Sequence, residues 1–309
     1  MRLRRLALPW LIVSALAPGL ALGALPAAAA SQGAGTVRAV AAENEYANVV
    51  SQVGGRYVRV DAVISNPNTD PHEFEANASV AAEVAQAQLI VQNGMGYDTF
   101  MSKIEAADKR RGALVVVAQH LLRMKASAFD PHLWYDPKTM PLVAKAVAGD
   151  LSKILPAHTS YFWANERLFD ASLRPWLAAI AHFKASYRRA PVAVTEPVAD
   201  YMLQAAGADI KTPRALQSAI MNGTDPSPQD VSTEEALLRR REVKAFVYNR
   251  QVTDSLTAAF LAIAKKAHVP VVAVYETMPT PGYDYQSWMV AETNALERAV
   301  ATGKSTGSL

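Results

Sequence analysis

Ser65-Asn66-Pro67-Asn68-Thr69-Asp70-Pro71-His72-Glu73-Phe74-Glu75 follows the apolar run Tyr57 to Ile64 and presents a histidine directly after Asp-Pro. The device returns at Asp130-Pro131-His132-Leu133-Trp134-Tyr135-Asp136-Pro137, downstream of the run Ala113 to Val117. Proline fixes its own φ and turns the residue before it away from helix, so each stretch is a stiff loop that presents an imidazole. Singly, each is also what an ordinary Asp-Pro turn looks like. Two copies behind two apolar runs point to a shared task, and imidazole is the commonest metal ligand.

Outward from these loops, short apolar runs alternate with longer amphipathic ones. Val37–Ala41, Tyr57–Ile64, Leu89–Val91 and Ala113–Val117 read as strands, with helices over 43–53, 79–86 and 98–107 between them. The beat resumes with strands at Pro191–Thr195, Ala208–Lys211, Ala245–Tyr248 and Val271–Tyr275. Helices are expected over 198–206, from Ser227-Pro228 to Arg241, within 254–268 and over 284–302. Such alternation predicts α/β architecture: two lobes, each a mostly parallel four-stranded sheet flanked by helices. Between them lies helical periodicity, opening at Asp136-Pro137 as cap and first-turn proline. After Pro156 it continues as one long rigid helix, Ala157 to Tyr187, with the stripe Trp163, Leu168, Phe169, Leu173, Trp176, Ile180 and Phe183, and with Pro175 as a point of kinking. The expected organisation is residues 31–155 as one lobe, 156–189 as linker helix and 190–309 as the other lobe. A plain surface helix of a single larger domain is the alternative.

Residues 1–30 stand apart. Arg2, Arg4 and Arg5 precede an uncharged apolar stretch that ends at Ala28-Ala29-Ala30, the pattern of a cleaved secretory signal peptide. A membrane anchor is the other reading of that stretch, and Pro9, Pro18, Gly19 and Pro26 argue against it. Removing 1–30 takes three arginines and no acidic residue, so the formal charge falls from +3 to zero. The mature chain then carries no bulk charge to favour nucleic acid or an anionic membrane. Cysteine is absent from all 309 residues. That excludes disulfides, thiolate metal sites and a lipid attached to an N-terminal cysteine, so a soluble periplasmic protein without a stable membrane anchor is expected.

Ligands in an open parallel α/β sheet bind beyond the carboxyl ends of the strands. His72 and His132 follow strands of the first half; Glu196 follows Val192-Ala193-Val194-Thr195, and Glu276 follows Val271 to Tyr275 in the second. Two neutral imidazoles and two carboxylates form a donor set for a divalent transition ion. Glu196 is equally an ordinary helix-start residue by spacing alone, and Glu276 a solvated one. His120, His158, His182 and His268 are dispersed and read as structural, Asp136 as a helix cap, Glu73 and Glu75 as solvated. Asn93-Gly94 reads as a turn near the site, and Asn249 follows a strand of the second half, a position from which a hydrogen bond to a ligand could be made.

The motifs NPNTDPHEFE, QNGMGYD, DPHLWYDP, VTEPV, YNRQ and YETMPTPGYDYQSWM resemble the metal-specific solute-binding proteins of bacterial ABC transporters. That zinc- and manganese-binding family also includes proteins first described as adhesins, and the likeness runs from about Val37 to Glu297. It implies two α/β lobes joined by a rigid helix, one metal ion in the interlobe cleft, and ligands carried over to His72, His132, Glu196 and Glu276. It also implies a monomer whose partners are an inner-membrane ABC permease and its cytoplasmic ATPase. Two departures bear on the ion. The segment Gln119 to Phe129, where zinc-specialised relatives carry a His-rich acidic loop, has only His120, and Glu196 stands where they tend to use a third histidine. With two oxygen donors, Mn2+ joins Zn2+ as a candidate, although zinc stands above manganese in intrinsic affinity. Rival readings are a secreted metallohydrolase, which would need an open coordination position and shows no HExxH motif; a surface adhesion module; and a siderophore- or corrinoid-binding protein of the same two-lobe architecture.

Overall fold

The computed structural model describes residues 35–68, 71–107 and 112–309; the signal peptide read at 1–30 lies outside the described residues. Valine-rich runs bounded by turns become strands covered on both faces, and the amphipathic runs between them become the covering helices. The first half runs β1 (Val37–Glu43), α1 (Asn44–Gly54), β2 (Val58–Ile64), α2 (Ala78–Val84), β3 (Leu89–Gln92), α3 (Thr99–Ala107), β4 (Leu114–Val117) and the short α4 (Ala118–Leu121). Then come α5 (Thr139–Ile154), α6 (Thr159–Ser172) and α7 (Arg174–Tyr187). The second half adds β5 (Pro191–Val194), α8 (Asp200–Ala205), β6 (Asp209–Ile210), α9 (Arg214–Met221), α10 (Pro228–Arg239), β7 (Ala245–Asn249), α11 (Ser255–Lys266), β8 (Val271–Val274) and α12 (Tyr285–Thr302). All strand pairings are parallel, and the two sheets share one order, β2-β1-β3-β4 and β6-β5-β7-β8. In each, the chain leaves the first strand to one side and returns to the other. This opens a crevice at the carboxyl ends of β1/β3 and β5/β7.

The long helical spine is present with an interruption at Leu173. Pro175 has no N–H to give, so the turn is rebuilt: Leu173 N donates to Asp170 O at 3.3 Å and Leu177 N to Leu173 O at 3.1 Å. The α6 half packs on α1 and α5, the α7 half on α12. The buried stripe holds Phe162, Phe169, Leu173, Trp176, Ile180 and Phe183, whereas Leu168 is 69 % exposed and drops out of it. Two further expectations are corrected. The helix after the second Asp-Pro-His starts at Thr139 rather than Pro137, because Asp136 closes a turn by accepting from Lys138 N at 3.0 Å. Helix α9, between Pro213 and Asn222, was not foreseen.

The two sheets are tied through α1 and the segment leading into α12. Asn44 Nδ2 donates to Met278 O at 2.9 Å while its Oδ1 accepts from Met278 N at 3.0 Å. Asn48 Oδ1 accepts from Tyr285 N, and Tyr285 Oη donates to Trp134 O at 2.6 Å. Tyr135 Oη reaches Tyr275 O at 2.8 Å, and Trp176 Nε1 donates to Thr293 Oγ1. Among the described residues no helix is long and apolar enough to cross a membrane.

Candidate metal centre

His132 is held by its own loop. Asp130 Oδ1 accepts from His132 N at 2.9 Å and pairs with Nδ1 at 2.8 Å, which puts the proton on Nδ1 and aims Nε2 at the second sheet. Pro131 O accepts from Asn93 Nδ2 at 2.8 Å, so the turn after β3 steadies the Asp-Pro-His loop. Gly94 makes this possible: its φ is +81°, and a Cβ there would meet Gln119 and Val117 side-chain atoms within 3 Å. Trp134 and Tyr97 stand edge-on to the imidazole, which is fully buried.

His72 sits on the single turn Pro71–Glu73, its ring centroid 5.9 Å from that of His132. Its side chain is 21 % exposed and lines an open cavity of about 630 Å3. Glu276 follows β8 at the centre of the group. Its Oε2 lies 3.0 Å from His72 Nε2 and 3.3 Å from His132 Nε2, and accepts from Tyr97 Oη at 2.9 Å. Its Oε1 accepts from Asn249 Nδ2 at 2.6 Å. Glu196, beyond β5, accepts on Oε1 from the same Nδ2 at 2.7 Å, while its Oε2 is buried without a donor.

The donor atoms of His72, His132 and Glu276 all lie within 4.8 Å of one another. Glu196 is outside that trio and joined to it through Asn249. All four residues named from sequence therefore meet at one place, three in immediate contact and one across an amide. Sequence reading did not single out Tyr97, inside the QNGMGYD motif, nor the anchoring part played by Asp130, although both stand in quoted motifs. The other histidines lie elsewhere: His158 stacks on Tyr57 at 3.8 Å and His182 pairs with Glu297 at 3.1 Å.

Electrostatics follow from burial and neighbours. Burial works against the charge on His132, but the hydrogen bonds to Asp130 and Glu276 outweigh it and push the imidazole up to about 10. His72 likewise rises, its burial offset by Glu276. Burial would raise Glu276, but His72 and His132 hold its carboxyl well below the usual carboxylate range. Glu196 is pushed up to about 8 by burial and then by the Glu276 charge. The site is thus a carboxylate between two imidazoles, of which His132 is held protonated and His72 is pushed the same way, with a neutral acid beside it. A divalent cation could take the place of those protons.

Fold and donor cluster together define a two-lobed α/β ligand-binding protein. Residues 40–299 match the family model of ZnuA, the zinc-uptake complex component A, periplasmic. The chain belongs to that family, whose members are metal-binding substrate-binding proteins of ABC transporters. Relatives by sequence include the zinc-binding protein TroA of Treponema pallidum (strain Nichols), 27 % identical over 217 residues covering 67 % of this chain and 68 % of TroA. The manganese-binding lipoprotein MntA of Bacillus subtilis (strain 168) is 22 % identical over 248 residues, covering 76 % of this chain and 78 % of MntA. The solved structure of periplasmic zinc-binding TroA superposes with a TM-score of 0.72 at 21 % identity, over 87 % of this chain and 100 % of that one. FpvC of P. aeruginosa, solved with Ni2+, gives 0.70 at 20 % identity, over 88 % and 99 %. Both are likenesses of fold.

Proposed function

We propose that this chain captures a free divalent transition ion, Zn2+ or Mn2+, in the periplasm and delivers it to an inner-membrane ABC permease driven by a cytoplasmic ATPase. His72, His132, Glu196 and Glu276 hold the ion in the interlobe cleft. The observation that carries this reading is the convergence of His72, His132 and Glu276 from three separate loops to within 4.8 Å. The ion is cargo, and no bond in a substrate is made or broken. Residues 1–30 direct export and are removed; 31–155 and 190–309 form the lobes, linked by 156–189, and the mature protein works as a soluble monomer.

A metallohydrolase would need an open coordination position and a general base, whereas four protein ligands leave little room for either. A siderophore or corrinoid cleft would need cations for an anionic chelate. No lysine or arginine is among the described residues lining the cavity at His72.

Titration calorimetry on chelator-stripped protein tests the assignment. One ion per chain is expected, with binding collapsing in His72→Ala and in His132→Ala. Unchanged binding in both variants would overturn it.

A further inference from the structure

Asn249 ends β7, the strand next to β5 at the crevice of the second sheet, and its side chain is fully buried. Its amide orientation is fixed by the backbone, because Oδ1 accepts from Gln251 N at 3.0 Å. The NH2 group therefore faces the site, and its two hydrogens are both used. One goes to Glu196 Oε1 at 2.7 Å, the other to Glu276 Oε1 at 2.6 Å.

We infer that Asn249 sets the coordination number of the site, and with it the choice of ion, by holding one oxygen of each carboxylate away from the cargo. The inference rests on the ligand reading proposed above. With both Oε1 atoms turned to the amide, each glutamate has a single oxygen to give: Glu276 Oε2, already against both imidazoles, and Glu196 Oε2, buried and without a donor. Together with His72 Nε2 and His132 Nε2 this makes two nitrogens and two oxygens. Four such donors suit Zn2+, which binds tetrahedrally without a ligand-field preference, and leave Mn2+ short of the six it prefers. A carboxylate freed from the amide could chelate through both oxygens, raising the donor number to five or six. Asn249 is thus a positioning residue, acting on selectivity through two glutamates.

Co2+ added to metal-free protein reports the coordination directly, since four-coordinate Co2+ absorbs strongly in the visible and six-coordinate Co2+ weakly. The wild-type protein is expected to give the intense spectrum and Asn249→Ala a several-fold weaker one. The Zn2+-to-Mn2+ affinity ratio should fall by about tenfold in the variant, the lower end of what loss of a ligand's hydrogen-bond partner costs. A weak, six-coordinate spectrum in the wild-type protein would overturn the inference even if the variant does not fold. So would a spectrum and affinity ratio left unchanged by Asn249→Ala. His72→Ala and His132→Ala separate this from the ligand assignment. If Co2+ binding survives both, the assignment fails; if both abolish it and the wild-type spectrum is still six-coordinate, the Asn249 inference alone fails.

Discussion

Asp130 shows how much one side chain can set here. Its Oδ1 holds both the backbone and the ring of His132, and that contact, with Glu276, pushes the imidazole up to about 10. At neutral pH the ion-free site therefore keeps protons on His132 and on Glu196 (raised to about 8), with His72 shifted the same way and Glu276 ionised. A cation must displace those protons to reach the donors, so affinity is expected to tighten as pH rises from about 6 to 9. Calorimetry in buffers of different ionisation enthalpy should show protons released on loading, and affinity independent of pH with no release would contradict the arrangement. Asp130→Asn removes the charge that favours imidazolium, so the pH profile should move to lower pH. The ring's anchor weakens too, and affinity should fall by about 10- to 100-fold.

At the scale of elements, the join between the sheets rests on a clasp of two hydrogen bonds. Asn44, at the start of α1, exchanges two hydrogen bonds with the backbone of Met278, and both residues are buried. Asn44→Ala leaves a buried N–H and a buried C=O without partners, at a cost of about 1–3 kcal/mol each. The melting temperature should drop accordingly. A drop no larger than that of an exposed substitution such as Gln229→Ala would show the clasp to be dispensable. None of this was legible in the sequence, because a bond spanning 234 positions leaves no local pattern. Local signals read well: the helices expected from Ser227-Pro228, within 254–268 and over 284–302 are all present, capped by Ser227, Asp254 and Asp284. Helix α9 was missed because it is short and enclosed by Thr212-Pro213 and Asn222-Gly223, which read as loop on both sides. Leu168 and Trp163 joined the stripe by hydrophobicity, but the spine turns their neighbours Phe169 and Phe162 fully inward. The convergence of His72, His132 and Glu276 was legible because strand ends announce where side chains meet; Tyr97 was not, since its part depends on Glu276 arriving 179 positions later.

For the whole molecule, the decisive feature is the number of carboxyl groups kept neutral inside it. Burial pushes Glu45, Glu196, Glu234 and Glu292 up to about 8 and Asp200 to about 7, and raises Glu43 as well. Their folded pKa values lie above those of the unfolded chain, near 4 to 4.5, so between about pH 4.5 and 8 the unfolded chain has shed protons that the native protein keeps. Their contribution to stability is complete below the unfolded values and is lost as pH rises through the folded ones. His132 and His72 push the same way, from about 6.5 upward, while the depressed Glu276 acts only below its unfolded value. The ion-free protein is therefore expected to melt highest near pH 5 and progressively lower towards pH 9.

Glu292 isolates one such group away from the donors. Its Oε1 accepts from Trp288 Nε1 at 2.7 Å, and its Oε2 lies 2.6 Å from Tyr135 Oη. Tyr135 has one hydrogen for two neighbours, Glu292 and Tyr275 O, so a protonated Glu292 supplies the second bond. Glutamine can do the same with its amide without titrating. Glu292→Gln should match the wild type in stability near pH 5 and lose less by pH 8, by about 1.4 kcal/mol per pH unit of the window, the weight of one proton. Denaturant melts of ion-free protein across that range measure the slope, and identical slopes would mean that Glu292 is ionised in the fold. Loading with Zn2+ should raise the melting temperature most at the alkaline end, where binding is tightest and the ion-free fold weakest.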